Sequence, residues 1–117
     1  MMGRSVSGGV VPNQRGDSAE ERVANALLAR GWTILARNWV CAGGEIDLIA
    51  SKGQALRFVE VKARRDQEME VISPAQVRRL RRAGELWLSA STDAWEEACF
   101  ALVIDDGRSL VWEDDPF

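Results

Sequence analysis

Gly44-Glu45-Ile46-Asp47-Leu48-Ile49-Ala50 and, one short turn later, Phe58-Val59-Glu60-Val61-Lys62-Ala63-Arg64 are the two stretches that decide the fold. Each is a strand-length run of β-branched and aliphatic residues. Ser51-Lys52-Gly53-Gln54 lies between them, with Gly53 the strong turn residue, so the pair reads as a hairpin of strands near 45–50 and 55–63. If Ala50 opposes Ala55, then Asp47 faces Phe58, Glu45 faces Glu60 and Lys62 faces Gly43. Side chains alternate along a strand, so Glu45, Asp47, Glu60 and Lys62 then share one face, with Asp47 and Glu60 diagonal neighbours at roughly 7 Å. A slip of one residue would send the two carboxylates to opposite faces.

Both runs have the hydrophobicity of core strands, yet Asp47, Glu60 and Lys62 lie inside them. Burying an unpartnered charge costs several kcal/mol, on the order that desolvation sets. Chains carry such groups when they pair, hold a metal or do chemistry. Two acids and one lysine leave a net negative cluster, which favours a divalent cation with an adjacent lysine. The competing interpretation is a structural ion-pair cluster.

Composition narrows the chemistry. The chain has 117 residues and is 46% hydrophobic, which predicts one globular domain. It has no histidine, so Ser-His and Cys-His nucleophile pairs and histidine-ligated zinc are excluded. A metal must be held by oxygen, which favours Mg²⁺ or Mn²⁺. The net charge is −3, so nucleic-acid binding must rest on a local basic patch. Cys41 and Cys99 have no metal or disulfide spacing and read as reduced thiols of a cytoplasmic protein. No apolar run reaches the ~20 residues of a membrane span. Residues 1–15 are Gly/Ser-rich, lack a signal-peptide core and read as a flexible segment before a single α/β domain over 16–117.

Around the hairpin, a first helix is expected from about Ser18 to Arg30, with Asp17 as N-cap, Glu20 at the capping-box position and Gly31 as terminator. Val23, Ala24 and Leu27 form its inner stripe, and Glu20 shares that face. Glu20 therefore reads equally as a capping group or a site residue. A strand is expected over 33–41. Ser73-Pro74-Ala75-Gln76 is a capping box that opens a second helix ending near Ala90. On that helix Arg78, Arg79, Arg81 and Arg82 fan outward, close in sequence to Arg64 and Arg65. They suit phosphate contact, against the alternative of a solvated helix face. Strands over 98–104 and 110–112 flank the Asp105-Asp106-Gly107 turn, and the acidic tail from Glu113 is expected to be loose. Most of the five tryptophans read as core, with Trp39 and Trp95 the candidates for base stacking. The order α-β-β-β-α-β-β predicts a mixed sheet flanked by helices.

The motif 44–50 followed by Phe58-Val59-Glu60-Val61-Lys62-x-Arg64 resembles the YraN-like family of small bacterial proteins. That family is placed in the PD-(D/E)XK nuclease superfamily, near the Holliday-junction resolvases. Glu20, Gly31-Trp32, Leu35-Ala36-Arg37-Asn38 and the 83–88 stretch add to the likeness, which spans about residues 16–112. The resemblance implies a restriction-endonuclease-like core that hydrolyses DNA phosphodiesters, on branched or single-stranded structures, with Mg²⁺ or Mn²⁺. It implies Asp47, Glu60 and the Val61 carbonyl as metal ligands, Glu20 completing the shell, and Lys62 orienting water or stabilising the phosphate. Arg64, Arg65, Gln76, Arg78, Arg79 and Arg82 are the expected nucleic-acid contacts. A homodimer is expected by analogy with resolvases. This chain departs from the family pattern at Gln76, where a lysine is usual, and at Ala101, where an aspartate is common. The alternatives are an inactive nuclease-fold module that binds nucleic acid or a protein partner, and a phosphoesterase acting on a smaller substrate.

Overall fold

The computed structural model describes residues 14–63 and 72–116. In chain order the elements are α1 (Gln14–Ala29), β1 (Thr33–Cys41), β2 (Gly44–Lys52), β3 (Ala55–Ala63), α2 (Pro74–Ala90), β4 (Glu97–Asp105) and β5 (Leu110–Asp114). The expected α/β order is thus observed. The five strands form one sheet in sequential order; β3 and β4 are parallel across the α2 crossover and the other neighbours are antiparallel. This is the mixed sheet expected of the α-β-β-β-α-β-β pattern.

The two helices pack on opposite faces of the sheet. Val23, Ala24 and Leu27 of α1 bury against Leu48, Ala50, Val59, Ala101 and Val103. On the other face Ala83 of α2 meets Ile46, Ile49, Leu56 and Phe58. Each fully buried aliphatic side chain contributes roughly 1.5–3 kcal/mol. Gly84 lets α2 lie close to the sheet, because a Cβ there would stand 2.9 Å from Phe100 Cζ and 3.3 Å from Phe58 Cε2.

Local signals explain most boundaries. The α2 capping box is formed: Ser73 Oγ accepts from the Gln76 N–H and the Gln76 side chain accepts from the Ser73 N–H. At the end of α1, Gly31 has φ +91°. The Trp32 N–H donates to the Leu27 carbonyl and the Gly31 N–H to that of Leu28, which makes a Schellman cap.

Three expectations need correction. Helix α1 starts at Gln14, not Ser18, so Asp17 lies within the helix and is not its N-cap, and residues 14 and 15 belong to the helix rather than to a flexible segment. The β2–β3 hairpin is tighter than expected: Ala50 pairs with Arg57 and Lys52 with Ala55, leaving Gly53 (φ +61°) and Gln54 as the turn. That register is displaced by two residues, an even number, so the facing of the side chains survives within the paired ladder, 48–52 against 55–59. The C-terminal tail is held: Glu113 and Asp114 belong to β5. Asp115 follows, donating its N–H to the Phe100 carbonyl and accepting the Phe100 N–H on its side chain. Trp39 and Trp95 are half-buried against the α2-side core, as most of the tryptophans were expected to be, and Trp95 donates to Ser91 Oγ.

Both cysteines are free. Among the described residues no helix is long and apolar enough to cross a membrane.

Candidate functional site

The site forms where β2 and β3 stop pairing. Their ladder runs only to Leu48–Val59. Two residues beyond Val59, the Val61 N–H donates not to a backbone carbonyl of β2 but to Asp47 Oδ2, at 2.8 Å. The carboxylate therefore stands in for the missing rung, which satisfies a donor that burial would otherwise leave costly. Asn38, the β1 residue level with Asp47 in the β1–β2 register, has φ +50°. Around this level both strands change the face they present: Leu48 and Ala50 point to α1, yet Ile46 and Ile49 both point to α2. Ala36 and Trp39 of β1 likewise both face α2. Regular alternation forbids such odd spacings on one face. The kink gives Asp47 access to residues from both sides of the sheet.

Glu60 and Glu20 both hydrogen-bond Asp47, Glu60 from β3 and Glu20 from α1. Glu20 thus lies beside Asp47, and with the helix starting at Gln14 the capping box with Asp17 is not formed. Lys62 Nζ lies 3.7 Å from Glu60 Oε2, with side-chain exposures of 22% and 14%. Neighbouring carboxylates in a partly buried place disfavour one another's ionisation. Burial pushes Asp47 up; the Val61 N–H, the Glu60 bond, Lys62 and the Glu20 bond oppose it in that order. Glu60 is pushed up to about 8, by burial first and the Asp47 charge second, with Lys62 opposing.

A pocket of about 180 Å³ opens over this cluster, lined by Glu45, Asp47, Glu60, Gln76, Arg79 and Leu80. Sequence reasoning placed Glu45 beside the carboxylates, and its charge does act on Glu60. Gln76 and Arg79 are brought in by the first turns of α2. The Gln76 carbonyl oxygen is used by the cap, which leaves its amide N–H groups as the donors for a ligand. Arg78 and Arg82 are exposed on α2 and do not line the pocket. The Arg82 stem covers the β1–β2 turn, where a Cβ at Gly43 would stand 2.5 Å from Arg82 Cγ. Arg64 and Arg65 lie outside the described residues.

Among the described residues no three His, Cys, Asp or Glu side chains form a ready-made metal cage. The donor set still fits Mg²⁺ or Mn²⁺, because these ions take one or two carboxylates and fill the remaining positions with water and phosphate. Asp47 and Glu60 supply the two carboxylates.

The likeness to known proteins extends over most of the chain. Residues 19–105 match the family described as "Uncharacterised protein family UPF0102". A "UPF0102 protein" of Chloroflexus aurantiacus is 42% identical over 108 residues, covering 87% of this chain and 90% of its own. One from Rhodopseudomonas palustris is 44% identical over 94 residues, covering 79% and 71%. One from Brucella canis is 44% identical over 81 residues, covering 68% and 64%. The match contains the whole paired motif, Glu20 and the start of α2, and the chain belongs to the UPF0102, or YraN-like, family.

Proposed function

We propose that the protein is a Mg²⁺- or Mn²⁺-dependent phosphodiesterase of the PD-(D/E)XK nuclease type acting on DNA, with branched or single-stranded structures as substrates. The observation that carries this reading is the pair Asp47 and Glu60 lining an open polar pocket, with Lys62 3.7 Å from Glu60 and Glu20 beside Asp47. A purely structural ion pair has no need of three acids around one lysine, nor of a mouth to solvent.

Asp47 and Glu60 would hold the cation, with Glu20 and the Val61 carbonyl completing the set. The cation, when bound, lowers the pKa of a water and offsets charge on the phosphate. Lys62 hydrogen-bonds the attacking water or the phosphate oxygen on the same face. Arg79 at the rim presents the planar fork that suits a phosphate, and the Gln76 amide donates beside it. The exposed Arg78 and Arg82, with Arg64 and Arg65, would extend this contact along a backbone.

The test is calorimetric titration of Mn²⁺ into wild type and Glu60→Ala, followed by incubation with labelled branched, flapped and single-stranded DNA. The expected result is saturable binding and cleavage in wild type, both lost in Glu60→Ala. Arg79→Ala should weaken DNA binding and lower the salt slope by about one. Metal binding without cleavage of any DNA would replace the nuclease by a binding module. Absence of binding and of cleavage at millimolar metal would refute the reading.

A further inference from the structure

On the α1 face, at the other end of β3, a second cluster of side chains converges that the acidic site does not use. Arg57 lies over the Trp32 ring, 5.3 Å from its centroid, and Arg30 lies over Trp112 at 4.6 Å. These four residues line a pocket of about 130 Å³ floored by Val59 and Ala101. The position is distinct from the carboxylates: Arg57 and Glu60 are three residues apart on β3, roughly 10 Å along the strand, and point to opposite faces.

The chemistry of the walls is selective. Two indoles line it, each with a guanidinium over one ring face, and the floor is buried core. The Arg57 side chain is 17% exposed and is balanced by Glu97 at 3.4 Å and by Asp114, on the pocket rim, at 3.6 Å. Arg30 is exposed just past the end of α1 and supplies the cation at the mouth that Asp114 does not pair. An anion at the mouth joined to a flat ring inside satisfies both halves, and an aliphatic ligand satisfies neither.

We propose that this pocket is a nucleotide-binding site, in which the base stacks on Trp32 and Trp112 and Arg30 holds the phosphate. Aromatic platforms flanked by arginine are how single-stranded nucleic acid is held without sequence preference. The site takes a mononucleotide or one nucleotide of a strand, and it stands independently of whether the acidic cluster hydrolyses anything.

The protein has five tryptophans, each with one indole N–H signal in a ¹⁵N–¹H spectrum. Adenosine monophosphate titrated into metal-free full-length protein should shift two of these saturably, those of Trp32 and Trp112. Adenosine and ribose 5-phosphate should each bind more weakly than the nucleotide. Arg30→Ala, a change at an exposed side chain, should weaken nucleotide binding about tenfold, and Trp112→Phe should weaken it less. Glu60→Ala should leave it unchanged. The proposal is overturned by no saturable shift at millimolar nucleotide, or by ribose 5-phosphate binding as well as the nucleotide. It is also overturned if Glu60→Ala abolishes binding while Arg30→Ala retains it, which would place the ligand in the acidic pocket.

Discussion

Glu60 should make this protein less stable as the pH rises, and Glu60→Gln should remove the effect. Burial and the Asp47 charge raise its pKa from 4.5 to about 8 in the folded state. The native protein therefore binds more protons than the unfolded chain between those values, and stability falls with pH there. Below 4.5 both states are protonated and the full stability is present; above about 8 the loss is complete. At about 1.4 kcal/mol per pH unit, a window from 4.5 to about 8 amounts to about 5 kcal/mol. The side chain is 14% exposed, so solvent screens little of this. Such a loss is a third or more of the ~5–15 kcal/mol that holds a domain together. The assay is urea unfolding in metal-free buffer at pH 5 and pH 8.5. Wild type should lose several kcal/mol between the two, while Glu60→Gln, which keeps the shape without the charge, should lose far less and be the more stable protein at pH 8.5. Saturating Mn²⁺ should restore wild type at pH 8.5 by about 2.7 kcal/mol at a hundredfold excess over Kd, and should leave Glu60→Gln unchanged. If Glu60→Gln is instead less stable than wild type at pH 8.5, the Glu60–Lys62 pair is a structural ion pair and the reasoning fails.

Two further outcomes follow from packing. Gly84→Ala pushes a methyl into the Phe58–Phe100 contact and should cost about 1–3 kcal/mol, read as a lower urea midpoint with an unchanged slope. Asp105 is buried, pairs with Arg22 of α1 at 3.3 Å and accepts the Gly107 N–H at 2.9 Å. Asp105→Ala should cost about 2–3 kcal/mol by orphaning that N–H and the α1 tether, and Asp105→Asn, which can still accept from Gly107, should recover part of it in the same unfolding experiment.

The likeness to the UPF0102 family establishes which family the chain belongs to, and the nuclease proposal rests on the side chains gathered around Asp47. The family match covers the hairpin and α2 as one block.

Local signals were enough to read most of the fold. The alternation in 44–50 and 58–63, the Ser73-Pro74-Ala75-Gln76 box and Gly31 each act through neighbours within a few residues, so the hairpin, the start of α2 and the end of α1 could be read directly. The assembly of Asp47, Glu60 and Lys62 was equally legible, because charged groups inside apolar strands signal a shared purpose. Tertiary structure alone decided the rest. The tighter turn depends on cross-strand packing, and the held tail depends on Phe100 offering both its N–H and its carbonyl to Asp115. The bond of Asp47 to the Val61 N–H exists only because β2 and β3 part at that level. Glu20 reaches Asp47 because α1 lies across the sheet, and Trp32 meets Arg57, as Trp112 meets Arg30, through contacts between elements distant in sequence. Such contacts are set by how whole elements dock, a property that no stretch of sequence carries by itself.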